Sequence, residues 1–120
     1  MSSPARFRSL DVEVIGDVTV ASFRDRKILA EQNIQHIGEQ LLSLADQASG
    51  AKLLLNFRNV EYMSSAMLGA LVTLNKKVKA AKGKLVMCHI DPQIREVFTI
   101  SDLEKLFVIR NDEQEGLQAF

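Results

Sequence analysis

The chain has 120 residues, 47% of them hydrophobic, which is enough for one domain with a core of its own and too few for two. Its 15 basic and 15 acidic residues cancel, so no overall field draws it to nucleic acid or to an anionic membrane, and partners must be recognised by local surface. A single cysteine, Cys88, excludes an internal disulfide and fits a reducing compartment.

Residues 1–9 are small, polar and basic and read as a flexible arm ahead of a domain spanning 10–120. The arm lacks the apolar stretch of a signal peptide, and no run approaches the roughly 18 apolar residues that cross a bilayer. A cytoplasmic protein without membrane insertion is expected. Residues 10–15 and 18–23 are β-rich, with Val12, Val14, Val18 and Val20 alternating as half-buried strands do, and Gly16-Asp17 between them suits a two-residue hairpin turn. Arg24-Asp25-Arg26-Lys27 reads as a solvated charged loop. From 29 to 48, apolar residues at Ile34, Ile37, Leu41, Leu44, Ala45 and Ala48 keep the spacing of one helical face, and Ser49-Gly50 is a stop with glycine at the cap.

Residues 52–57 form a strand with little alternation, so both faces are expected to be covered. A short polar loop and the pair Ser64-Ser65 follow, then a helix apolar over a wide arc, from Ala66, Met67 and Leu68 to Val78 and Ala81. It ends in Lys76, Lys77, Lys79 and Lys82, which suits the negative end of the helix dipole, and Gly83 closes it. Residues 84–88 are the next strand, predicted parallel to the previous one. Asp91-Pro92 starts a helix with Ile94, Val97 and Phe98 on one face. Ser101 to Glu104 has the spacing of a capping box, which predicts a second short helix at once. Residues 107–109 are a last strand, and 111–120 a terminal helix. The fold class is therefore α/β, a mixed sheet of about four to five strands covered by about four to five helices.

His36 and His89 have no cysteine or carboxylate at ligand spacing, so no metal site is expected. Cys88 lies in an apolar run as a small buried hydrophobe. No glycine-rich phosphate loop, glycine-flanked nucleophile or carboxylate pair is present, so neither an enzyme nor a cofactor is expected. The lysines near the end of the second long helix lack interleaved aromatics and read as a solvated face. Ser64 and Ser65 stand out: a helix start has unpaired N–H groups and positive dipole character, and can hold a serine oxygen or a phosphate in its place. Ser64 suits the cap. The helix behind them is so widely apolar that Met67 and Leu68 are expected to show at the surface beside the serines, as a partner contact would.

Leu53-Leu54-Leu55-Asn56-Phe57, Tyr62-Met63-Ser64-Ser65, Leu68-Gly69, Gly83 to Cys88, Pro92 and Phe98 together resemble, over nearly the whole chain, the STAS domain of bacterial anti-sigma factor antagonists. In those proteins the loop reads Met-Asp-Ser-Ser-Gly-Leu-Gly. Matched on Met63 and on Leu68-Gly69, the phosphorylated serine falls at Ser65, while Ser64 replaces the aspartate, Ala66 the second hydroxyl and Met67 the glycine. Phe23 to Ile28 stands where the family carries Gly-Glu-Leu-Asp. The resemblance implies a non-enzymatic regulator of a partner-switching system that binds a kinase-type anti-sigma factor through Met63, Ser64, Ala66, Met67 and Leu68. Phosphorylation of Ser65 would end that binding, and a phosphatase would restore it. The alternative is an unmodified STAS scaffold in a signalling assembly or a lipid-transport complex.

Overall fold

The computed structural model describes residues 9–48 and 51–120. Gly16 adopts φ +64°, and with Asp17 it joins β1 (Leu10–Ile15) to β2 (Val18–Phe23) in an antiparallel hairpin that sets Ile15 opposite Val18. The apolar runs β4 (Lys52–Asn56) and β6 (Lys84–Cys88) occupy the middle of a five-stranded sheet ordered β1-β2-β4-β6-β7, with β7 at Val108–Arg110. All neighbours from β2 to β7 are parallel. This is the expected α/β architecture, a mixed main sheet of five strands with four α-helices among the described residues.

Helices α1 (Glu31–Gln47), α2 (Ala66–Ala80) and α3 (Pro92–Ile100) connect the parallel strands and share one core with Leu53, Leu55 and Met87. The opposite face of the sheet, with Val20, Leu54, Val86 and Cys88, is packed by Leu117, Ala119 and Phe120, the end of α4 (Glu113–Gln118) and the residues after it. Leu53, Leu54 and Leu55 are all fully buried, which explains why β4 shows no polar alternation. Asp91 caps α3 by accepting the Gln93 N–H at 2.9 Å, with Pro92 in the first turn, and Asp112 caps α4 by accepting from Glu115 at 2.8 Å.

Several sequence expectations change. Ser9, assigned to the arm, belongs to the domain: it is buried, its N–H donates to Gln40 Oε1 at 3.2 Å, and its carbonyl accepts from Arg24. Residues 1–8 of that arm, and the Ser49-Gly50 cap, lie outside the described residues. Val12 and Val14 are 38% and 66% exposed, in β1 at the edge of the sheet. At the end of α2 the left-handed residue is Lys82, φ +60°, whereas Gly83 meets a different demand. A Cβ there would stand 2.2 Å from the carbonyl oxygen of Ala51. The capping box does not form either. The Glu104 carboxylate accepts from Thr99 Oγ1 at 2.7 Å and Arg95 Nε at 3.3 Å, and only a single 3-10 turn, Glu104–Leu106, follows.

Two further pairs of residues leave the coil assigned to them. Within the charged run and its sequel, β3 (Lys27–Ile28) pairs in parallel with β5 (Tyr62–Met63), forming a small second sheet.

Two mid-helix glycines contrast with Gly83. A Cβ at Gly69 would meet nothing within 4 Å, and one at Gly38 only the Ala70 methyl at an ordinary 3.5 Å. Each costs its helix about 1 kcal/mol relative to alanine. Urea unfolding is expected to show Gly69→Ala stabilised by roughly 0.5–1 kcal/mol and Gly83→Ala destabilised by roughly 2 kcal/mol or more, the backbone clash deciding the sign.

Candidate functional site

The site is the path from the end of β4 to the first turn of α2, and both of its ends are pinned. Phe57 leaves β4 and packs on Phe23, the last residue of β2, with ring centroids 4.6 Å apart and both rings fully buried. Asn56 is buried; its Oδ1 accepts the Arg58 N–H at 2.9 Å and its Nδ2 donates to Glu113, so the turn is tied to the start of α4. Asn59 Nδ2 donates to the Phe23 carbonyl at 3.1 Å. These bonds satisfy polar groups that an irregular loop would otherwise leave unpaired against the core.

The β3–β5 clasp then fixes the approach to the serines. The Glu61 and Tyr62 N–H groups both donate to the Arg26 carbonyl, at 2.8 and 3.0 Å, and the Ser64 N–H donates to the Ile28 carbonyl at 2.9 Å. Arg26 grips the Glu61 carboxylate with two forked contacts of 3.1 and 3.0 Å, and Lys27 Nζ lies 5.5 Å from the centre of the Tyr62 ring. The guanidinium holds the Glu61 carboxyl below its usual pKa, and Glu61 raises that of Arg26. Both side chains are exposed, so the pair gives direction to the loop rather than much stability. The stabilisation it does give is present above the unfolded pKa of Glu61 and is lost as pH falls through the lowered folded value.

The two serines have separate roles at the start of α2. Ser64 is the geometric cap: its Oγ accepts the Ala66 N–H at 3.1 Å, and its carbonyl accepts from Met67 at 3.0 Å. Ser65 already has helical angles, φ −60° and ψ −23°, and its carbonyl accepts from Leu68. Its side chain is exposed, and among the described residues its hydroxyl has no hydrogen-bond partner.

The structure divides the residues expected to meet a partner. Ser64 is half-buried, and Ala66 is exposed beside Ser65. Met63, Met67 and Leu68 are core residues, at 7%, 0% and 3% exposure, so the expectation of Met67 and Leu68 at the surface is corrected. The wide apolar arc of α2 is used up by the sheet beneath it and by α1: Met67, Leu68, Leu71, Leu74 and Val78 all point inward. The apolar surface near the serines comes from residues the sequence did not single out. Tyr62 and Leu29, 48% and 52% exposed, border a cleft of about 220 Å³ with Met63, Ile94 and Val97. A β3 of two residues carries no periodic signal, so Leu29 after it gave no hint of this position.

Elsewhere the chemistry is spare. Burial, with Glu113 and Asp112 nearby, pushes the Cys88 thiol up to about 12, which leaves it un-ionised at neutral pH. Among the described residues no group of three histidine, cysteine or acidic side chains is placed to hold a metal ion. No described helix is long and apolar enough to cross a membrane.

The family model of the STAS domain matches residues 9–116, and the chain belongs to that family. Its relatives are named as anti-sigma factor antagonists. A protein named as a candidate antagonist, BtrV of Bordetella bronchiseptica, is 27% identical over 93 residues, 78% of this chain and 79% of the relative. The anti-sigma-B factor antagonist of Bacillus subtilis is 32% identical over 80 residues, 67% of this chain and 72% of the relative. The fold is also that of an anti-sigma factor antagonist (STAS) domain protein from Planctomyces limnophilus, with a TM-score of 0.81 at 24% identity over 92% of this chain and 96% of that one. The antagonist SpoIIAA, at 18% identity, superimposes with TM-scores of 0.74 in its unphosphorylated form and 0.66 in its phosphorylated form, each over 92% of this chain and over 94% and 97% of SpoIIAA respectively.

Met67→Asp places a charge in the core and is expected to lower unfolding free energy by roughly 3–5 kcal/mol, whereas Ala66→Asp is expected to leave the melting curve within about 0.5 kcal/mol of wild type. Thermal denaturation followed by circular dichroism checks both. Equal melting of the two variants would contradict the inward placement of Met67.

Proposed function

We propose that this protein is an anti-sigma factor antagonist that binds a kinase-type anti-sigma factor, and that phosphorylation of Ser65 switches the binding off. The carrying observation is the Ser65 hydroxyl itself: exposed, without a partner among the described residues, on the residue that leads into α2, and delivered by a loop clamped on both sides. Membership of a family whose named relatives are antagonists supports the reading, and so does the phosphorylated form known for SpoIIAA.

The chemistry asks nothing catalytic of this chain. The partner kinase transfers the γ-phosphoryl of ATP to Ser65 Oγ, the serine proton leaves, and ADP departs; hydrolysis by a phosphatase reverses the change. The phosphate carries about two negative charges at neutral pH. A helix N-terminus tolerates that charge, so the modified domain keeps its fold. A partner surface fitted to a small neutral hydroxyl does not, because it would have to desolvate the phosphate without compensation.

Ser64 accounts for the departure from the usual aspartate. Serine and aspartate cap helices comparably well, and Ser64 Oγ holds the Ala66 N–H as an aspartate oxygen would. What is lost is one negative charge next to the switch, which eases addition of the phosphate. The partner contact is assigned to Ser64, Ser65, Ala66 and the exposed Tyr62, with Met63, Met67 and Leu68 supporting them from beneath. On this reading the protein works in the cytoplasm, where the kinase has ATP.

Incubation with the cognate kinase and ATP, read by intact-mass spectrometry, is expected to add one phosphoryl group to wild type and none to Ser65→Ala, with Ser64→Ala still modified. An unmodified wild type, or equal modification of Ser65→Ala, would overturn the switch and favour an unmodified scaffold.

A further inference from the structure

The five-stranded sheet ends at β1, and the outer edge of that strand is unpaired among the described residues. The register with β2 decides which backbone groups the edge presents. The Arg24 N–H donates to the Ser9 carbonyl at 3.1 Å, so Ser9 and Arg24 form a hydrogen-bonded pair, and such pairs recur at every second residue of an antiparallel ladder. Asp11, Glu13 and Ile15 therefore turn their N–H and C=O groups toward Ser22, Val20 and Val18. Leu10, Val12 and Val14 turn theirs outward, away from the sheet.

The side chains complete a template for another strand. Val12 and Val14 stand on the face shared with Ala21 and the helices, and both are exposed. Asp11 and Glu13 stand on the opposite face and are exposed as well. Asp11 pairs with Arg24 at 2.8 Å, whereas Glu13 lies opposite the buried Val20 and has no ion pair among the described residues. Other guards of an edge are missing: β1 has six residues in unbroken register, without proline, lysine or a bulge.

Charge selects the occupant. In a second copy paired antiparallel along this edge, side chains come closest at the positions between the outward-facing residues, which are Asp11 and Glu13. Centred on Asp11, Val12 or Glu13, that pairing sets Asp11 against Asp11, Asp11 against Glu13 or Glu13 against Glu13. Each is repulsive, so β1 rejects its own copy. A strand with a cation at the same place is attracted instead.

We propose that the outer edge of β1 docks an extended strand of another protein, antiparallel to β1, with a basic side chain opposite Glu13 and β-branched side chains opposite Val12 and Val14. The guest strand pairs with the outward N–H and C=O groups of Val12 and Val14 and adds one strand to the sheet of five. Backbone pairing gives the affinity, and the Glu13 carboxylate gives the choice of guest. The edge shares no residue with the Ser65 surface, and the proposal does not depend on the anti-sigma reading.

The test uses a synthetic peptide, acetyl-Thr-Val-Lys-Val-Lys-Val-Thr-amide, titrated into the full 120-residue chain, with amide hydrogen exchange followed residue by residue by NMR. Without peptide, the Asp11 and Glu13 amides are expected to be protected and those of Val12 and Val14 to exchange freely. Peptide is expected to slow exchange at Val12 and Val14 several-fold, and the same peptide with glutamate for lysine to need a several-fold higher concentration. Glu13→Lys is expected to reverse that preference. Val12→Pro removes an outward N–H and leaves the ladder to β2 intact, so it is expected to abolish the response while Glu13 stays protected. Equal response to the two peptides, or protection by neither, overturns the proposal. So does protection of Val12 and Val14 in the chain alone: if it grows with protein concentration the edge belongs to a second copy, and if it does not, the edge is covered within the chain.

Discussion

The inward packing of Met67 and Leu68 is the constraint on which the rest of the site depends. Both side chains are anchored in the core under the first turn of α2, which fixes the rotation of that helix on the sheet. Once that rotation is set, helical geometry leaves Ser65, Ala66, Gly69 and Thr73 on the outer side. The exposure of the Ser65 hydroxyl is thus a consequence of where two apolar residues are buried.

A fixed helix would be of little use with a loose approach, and the β3–β5 clasp supplies the second restraint. Three backbone hydrogen bonds and the Arg26–Glu61 fork hold Glu61 to Ser64 against the segment after β2. The charged run 24–27 therefore does more than face solvent: its backbone positions the loop, and one of its side chains grips it. Ser64 acts in the same direction, its hydroxyl holding the Ala66 N–H of the first turn.

The sheet and its main helices are legible in the sequence because burial on two faces and on one face leave different periods, as the run Leu53-Leu54-Leu55 and the spacing from Ile34 to Leu44 illustrate. The capping role of Ser64 is legible too, from capping chemistry. What escapes is anything set by tertiary contact over a few residues. A two-residue strand such as Lys27–Ile28 has no period. The inward turn of the whole apolar arc of α2 depends on α1 as well as on the sheet, which no local pattern reveals. Ser101 to Glu104 matched a capping box in spacing, yet Thr99 and Arg95 claimed the Glu104 carboxylate first. Gly83 was readable as a stop, but its requirement comes from Ala51 on a separate segment.

A switch at Ser65 has its most direct measure in the affinity of the anti-sigma kinase for two forms of the same protein. Isothermal titration of the cognate kinase with unmodified chain and with chain phosphorylated at Ser65 compares them under one set of conditions. The expected result is binding by the unmodified form and a loss of roughly tenfold or more, about 1.4 kcal/mol or greater, on phosphorylation. Equal affinity of the two forms would contradict the switch.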